Sequence, residues 1–350
     1  RPDGSRHPGA RAGRLGGNPV HRDMVEGAAL VGPHLVVNSV VGDGGGFWAF
    51  ADPQDPDTLY VEYQGGNLSR HALNTGESKS IRPYARDGEE KLRFNWNTPI
   101  HLSPSRPGVL YYGSQYLHRS LDRGDSWQTI SPDLTTDDPA KQRQEESGGL
   151  TVDNSTAENH CTIFAIAESP RNPEVVWVGS DDGLLHVSRD GGATWVELAG
   201  RVPGLPAGTW VSAIQASPFA EATAFVSFDG HRSGDMATYL YRTDDFGATW
   251  TPLATGEVEG YAHVLKQDPV NPELLYAGTE LGLFISLDGG RHWARFKENL
   301  PPVAVNDLVV HPTEHDLIIA THGRGIFIID DLSALRALTA EIMASEVALL

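Results

Sequence analysis

Apolar residues in this chain come in short runs of four to six, broken at regular intervals by proline and glycine. The stretch from Tyr261 to Phe296 shows the unit most fully. Residues 262–267 form an alternating run that ends at Asp268-Pro269, and 274–277 form a second run. Gly278 to Gly282 turns the chain into a third at 283–286, and Asp288-Gly289-Gly290 turns it into a fourth around Trp293–Phe296. Proline cannot donate to a strand ladder and glycine supplies positive φ, so these breakers mark turns between four antiparallel strands. A four-stranded meander cannot cover both of its own faces, so it needs copies of itself.

The copies are present. A Ser, Asp or His followed by proline closes the first strand of six units, at Asp52-Pro53, Ser103-Pro104, Ser169-Pro170, Ser217-Pro218, Asp268-Pro269 and His311-Pro312. Spacings of about 43 to 66 residues fall near those of propeller blades, and the helices that solenoids of similar period use are missing. The pattern therefore predicts an all-β fold, a β-propeller of four-stranded antiparallel blades with six recognisable units, within a seven-bladed or double propeller.

Four units share a turn of the form Ser/Thr-x-Asp-x-Gly-x-x-Trp. It is carried by Ser120, Asp122, Gly124 and Trp127; by Ser188, Asp190, Gly192 and Trp195; by Thr243, Asp245, Gly247 and Trp250; and by Ser286, Asp288, Gly290 and Trp293. The hydroxyl and carboxylate can bond turn backbone, glycine takes the strained position, and Trp fills the gap between blades. These residues are expected to be structural. The first unit lacks the turn, and the last has neither its Trp nor a convincing fourth strand. A strand at 34–41 is expected to complete it. Residues 1–41 otherwise read as an irregular segment, 42–331 as the propeller, and 332–350 as a helical tail leading to a further domain.

Charge and composition narrow the partners. A formal charge of -19 over 350 residues argues against nucleic acid, whose binding relies on a basic surface. No apolar stretch reaches membrane length, so membrane insertion is not expected. Cys161, the single cysteine, sits in an apolar run and reads as a buried thiol. No cofactor motif and no metal-ligand spacing occurs, so neither a cofactor nor a metal is expected.

Strand order puts the Pro-step turns and the Trp turns on one face, and the strand two-to-three loops with the inter-blade loops on the other. Propeller ligands usually meet the second face. There the candidate acids and bases are Asp181, Asp182, Asp229 and Glu280, which can act as a carboxylate pair or stabilise turns. Candidate ligand contacts are Gln115, Glu158, His231, Arg232, His322 and Arg324, with Trp96 and Trp210 able to stack on sugar rings or to pack in the core. Arg93 belongs to the same set. Two loops on this face, 82–98 and 131–160, are long.

Stretches such as GDGGGFWAFADPQDPDTLY, GGLTVDNSTAENHCTIFAIAESP, LLYAGTELGLFISLDGGRHW and IIATHGRGIFIIDDLSALR resemble a family of bacterial Asp-box (BNR-repeat) proteins with sortilin-like propellers, often labelled glycosyl hydrolases. The resemblance covers about residues 42–340. It implies a longer parent chain with more blades upstream and a further domain downstream, in a secreted, periplasmic or surface setting. Xyloglucanases and sialidases are more distant relatives. The function expected first is a module binding a peptide, protein or glycan on the two-to-three loop face. The alternatives are a xyloglucanase-like or sialidase-like glycoside hydrolase and a scaffold.

Overall fold

The computed structural model describes residues 28–31, 34–37, 46–146 and 158–338. Within them the chain folds into a two-stranded hairpin and six larger antiparallel sheets, each built from strands consecutive in sequence. The larger sheets are the six blades of a β-propeller: 46–80, 100–129, 163–197, 210–252, 262–296 and 305–329. Five blades have four strands and the sixth has three, ending on Ile326–Ile329. Second strands such as Ala224–Asp229 and Leu275–Thr279 are buried along their whole length. That position between two neighbours explains why they read as unbroken apolar runs rather than alternating ones. The core lies in the seams between blades: Trp177, Val211, Phe228 and Trp250 pack together across blades 3 and 4.

The repeated Trp turns fasten those seams. In blade 2, Gly124 N donates to Ser120 Oγ at 2.7 Å, and Ser126 N and Oγ donate to the two oxygens of Asp122 at 2.8 and 2.5 Å. The same bonds recur in blades 3, 4 and 5. Gly124 has φ +88, and a Cβ there would lie 2.5 Å from the Ile81 side chain of blade 1, so only glycine fits. Trp127 Nε1 donates to Ile81 O at 2.6 Å, Trp195 Nε1 to Ile130 O at 3.2 Å, and Trp293 Nε1 to Leu253 O at 2.9 Å. Each indole thus ties its blade to the chain leaving the previous one. Trp250 instead bonds within its own turn, to Gly247 O at 3.2 Å.

Buried charges cross the seams too. Glu168 of blade 3 is fully buried and accepts from Ser103 Oγ, Ser105 Oγ, Tyr111 OH and Arg106 of blade 2, at 2.6, 2.6, 2.8 and 2.9 Å. These donors hold the carboxyl below its ordinary range although burial alone pushes it up.

The two ends differ from expectation. His34–Val37 pairs with Ala28–Val31 as a two-stranded hairpin against the inner strand of blade 1, not with blade 6; 38–41 lie outside the described residues. Among the described residues blade 6 has no fourth strand, and Ile328 on its last strand is 54 % exposed. At the other end the helix is short, Ser333–Ala337, and the rest of the expected helical tail from 339 lies outside the described residues. Leu332 just before it is buried in the seam of blades 5 and 6.

Candidate functional site

The inner strands of blades 3 to 6 carry a bulge one or two residues from their start, at Ile163/Ala165, Val211/Ala213, Ala262/Val264 and Val305/Asp307. Bulges re-aim the side chains beside them. Just before each bulge, one residue meets the last residue of the second strand or the first residue past it. The pairs are Thr162 with Asp181, Trp210 with Asp229, Tyr261 with Glu280, and Ala304 with His322. Four blades thus place an acid, an acid, an acid and a histidine at equivalent points of one face.

The acids are not equivalent in chemistry. Asp181 is fully buried and accepts from Thr162 N and Oγ1 and from Asn95 Nδ2, at 2.9, 2.6 and 2.8 Å. Burial nevertheless raises its pKa. Asp182 accepts from Ser180 Oγ, Thr136 N and Thr136 Oγ1 at 2.5, 2.7 and 2.7 Å, and these bonds hold it low against burial. Both carboxylates pin long loops to blade 3, which is the turn-stabilising role rather than open acid–base chemistry. Gln115 and Arg93 act similarly. Gln115 is buried, accepts from Arg93 N at 2.8 Å and donates to Lys91 O at 3.1 Å. Arg93 is buried against Glu90, Asp133 and Asp137 at 2.6, 2.5 and 3.1 Å.

Asp229 sits at the mouth of blade 4. Its two oxygens lie 2.6 and 2.7 Å from His231 Nδ1, and Oδ1 also accepts from His231 N at 2.9 Å. The His231 ring stacks on Tyr261 with centroids 4.4 Å apart and 16° between planes. Tyr261 meets His263 edge-on at 5.0 Å, and burial lowers the His263 pKa. Arg232, next on the same turn, lies over the Trp210 ring, 4.5 Å from its centroid. His160 and Phe164 meet Trp210 edge-on at 5.6 and 5.3 Å. Asp229, His231, Arg232 and Trp210 are thus brought together, joined by Tyr261.

Glu280 is exposed, and with Asp229 it acts electrostatically on Tyr261, whose pKa is raised mainly by burial. His322 and Arg324 are exposed on the blade 6 loop, Glu158 is half-buried, and Trp96 on the 82–98 loop is 38 % exposed. Tyr261 is the site residue that sequence reasoning missed. Its signal was its place at the entry to an inner strand, the place of Trp210 one blade earlier. Among the described residues no three His, Cys, Asp or Glu side chains are grouped to hold a metal. A hollow of about 510 Å³ lies on the opposite face between blades 1 and 2. Its charges satisfy one another, with Arg70 and Lys79 on Asp125 at 3.0 and 2.7 Å and Arg123 on Asp52 at 3.2 Å, so it offers a ligand little.

No protein-family model matches the chain. A xyloglucanase from a Paenibacillus species is 24% identical over 282 residues, 71% of this chain and 26% of that protein. The chain therefore spans about a quarter of that curated relative's length. Among solved structures, the xyloglucanase of Xanthomonas campestris superposes with a TM-score of 0.55 at 20% identity, over 81% of this chain and 45% of that one. The extracellular domain of a hybrid two-component system from B. thetaiotaomicron gives 0.53 at 14% identity, over 81% and 33%. These likenesses establish the propeller fold and a distant relationship to the xyloglucanase.

Proposed function

We propose that this propeller recognises a glycan on its two-to-three loop face, in the manner of part of a glycoside hydrolase, and that it works outside the cytoplasm. The observation that carries the reading is the mixture of aromatic rings and solvent-exposed carboxylate on that face. Trp96, Tyr261 and Trp210 supply partly exposed ring surface, Glu280 is open to solvent, and the Asp229–His231 pair lies beside them. Sugar rings pack their C–H faces on such aromatics while hydroxyls bond polar neighbours. The distant likeness to a xyloglucanase supports a glycan over a peptide. No described helix is long and apolar enough to cross a membrane, which fits the setting.

For hydrolysis, Glu280 and Asp229 are the carboxylates to weigh. Asp181 and Asp182 are less favoured for that role, since both are buried and each accepts three hydrogen bonds. The test is calorimetric titration of the chain with xyloglucan and cello-oligosaccharides, with reducing-sugar release measured alongside. Binding that Trp96→Ala weakens is the expected result. Release of reducing ends that Glu280→Gln or Asp229→Asn abolishes would add catalysis. An absence of binding to every glycan, with peptide libraries retained instead, would overturn the reading.

A further inference from the structure

We infer that the loop face takes glycans bearing carboxylate groups, with the Arg232 guanidinium as their counter-ion; this rests on the glycan reading above. Arg232 is exposed and makes no ion pair with any described residue, in a protein of net charge -19. Arg93 is spent on Glu90 and Asp133, Arg106 on Glu168 and Arg123 on Asp52, while Arg324 is also exposed without an ion pair among the described residues but rests on no described ring. An unpaired cation in so acidic a protein is where an external anion gains most.

The guanidinium is also held in place. Its Cζ lies 4.5 Å from the Trp210 ring centroid, and its N–H groups make no hydrogen bond with any described residue, so they can meet a bidentate acceptor. The turn beneath it is fixed at both ends. Asp229 grips His231 through side chain and backbone, and Asp235 N donates to Gly230 O at 3.1 Å around Gly234 at φ +81. A preorganised cation loses less entropy on binding. Asp229, three residues earlier, has both oxygens on His231 and makes no ion pair with Arg232. Glu280 opposes an anion on this face, and that opposition makes a second variant informative.

The experiment is a matched pair of ligands: cellohexaose and its C6-carboxylated counterpart, which share linkage and length and differ in charge. Titration should show about tenfold tighter binding of the carboxylated chain, as for one charge-assisted bidentate contact. Arg232→Ala should erase that preference while leaving the melting temperature in place. Arg232→Lys should restore part of it, and Glu280→Gln should strengthen it. Equal affinity for the two ligands, or a preference that survives Arg232→Ala, would overturn the inference and leave the glycan reading standing. Binding of neither ligand, nor of xyloglucan, would remove both.

Discussion

Arg336 Nε donates to both carboxylate oxygens of the buried Asp268, at 3.0 Å each. Blade 1 has the counterpart, where Arg123 lies 3.2 Å from Asp52 Oδ2. In both places the aspartate opens a Pro-step and also receives a buried tyrosine hydroxyl, Tyr276 at 3.4 Å and Tyr60 at 2.9 Å. Arg123 comes from the Trp turn of the next blade. Blade 6 has no such turn, and the short C-terminal helix delivers the arginine instead. The helix is thus part of the propeller. Arg336→Ala leaves a buried carboxylate without its cation and should cost about 3 kcal/mol in urea unfolding. A cost near zero would show that the helix is only resting on the blade.

The carboxylates of the repeated turns make a prediction about acid. Hydrogen bonds from the Ser126 side chain and backbone lower Asp122 from 3.8 to about 2, and similar bonds lower Asp190 and Asp245. A depressed folded-state pKa stabilises the fold above the unfolded value and loses that contribution as pH falls toward the folded one. Stability should therefore drop between about pH 4 and pH 2. Asp122→Asn should be less stable than the parent at pH 6, with the gap closing toward pH 2. A gap independent of pH would refute the assignment.

Glu62 predicts the opposite sign. It is wholly buried, accepts from Thr98 N at 3.3 Å through Oε1, and leaves Oε2 without a partner among the described residues. Burial raises its pKa well above 4.5. Above that value the unfolded chain ionises while the folded carboxyl keeps its proton, so this residue's contribution weakens as pH rises. Glu62→Gln should melt higher than the parent at pH 8, and the two should converge near pH 4. A lower melting point for the variant at pH 8 would mean that the charged form is stabilised after all.

Cys161 should be chemically silent. It is buried, and burial is the main cause that pushes its thiol up to about 11. His160 Nδ1 is 3.8 Å away, yet the thiolate that nucleophilic chemistry needs is not formed at neutral pH. A disulfide reagent at pH 8 should label the unfolded chain quickly and the native chain only at the rate of opening. Fast labelling of native protein would overturn this.

The blades were legible because their signals are local. A proline step, a glycine in a left-handed turn and a Trp three residues on are all decided within a few residues by sterics and hydrogen bonding, so Ser120 to Trp127 and its three copies could be read directly. The three-stranded sixth blade was readable for the same reason, since 330–331 is Asp-Asp and no Trp follows. The loop face was legible too, because strand alternation fixes which turns share a side.

Tertiary structure decided everything that depends on which distant residues meet. Asp181 and Asp229 look alike as loop acids, and only the neighbouring chain separates them. Asn95 and Thr162 close around the first, while His231 takes the second and leaves its ring on Tyr261. Arg93 and Arg232 are likewise indistinguishable in sequence, yet Asp133 and Glu90 neutralise one and an indole supports the other. Short-range sterics are written residue by residue; burial and ion pairing are properties of contacts between residues tens of positions apart, and those exist only once the blades have packed.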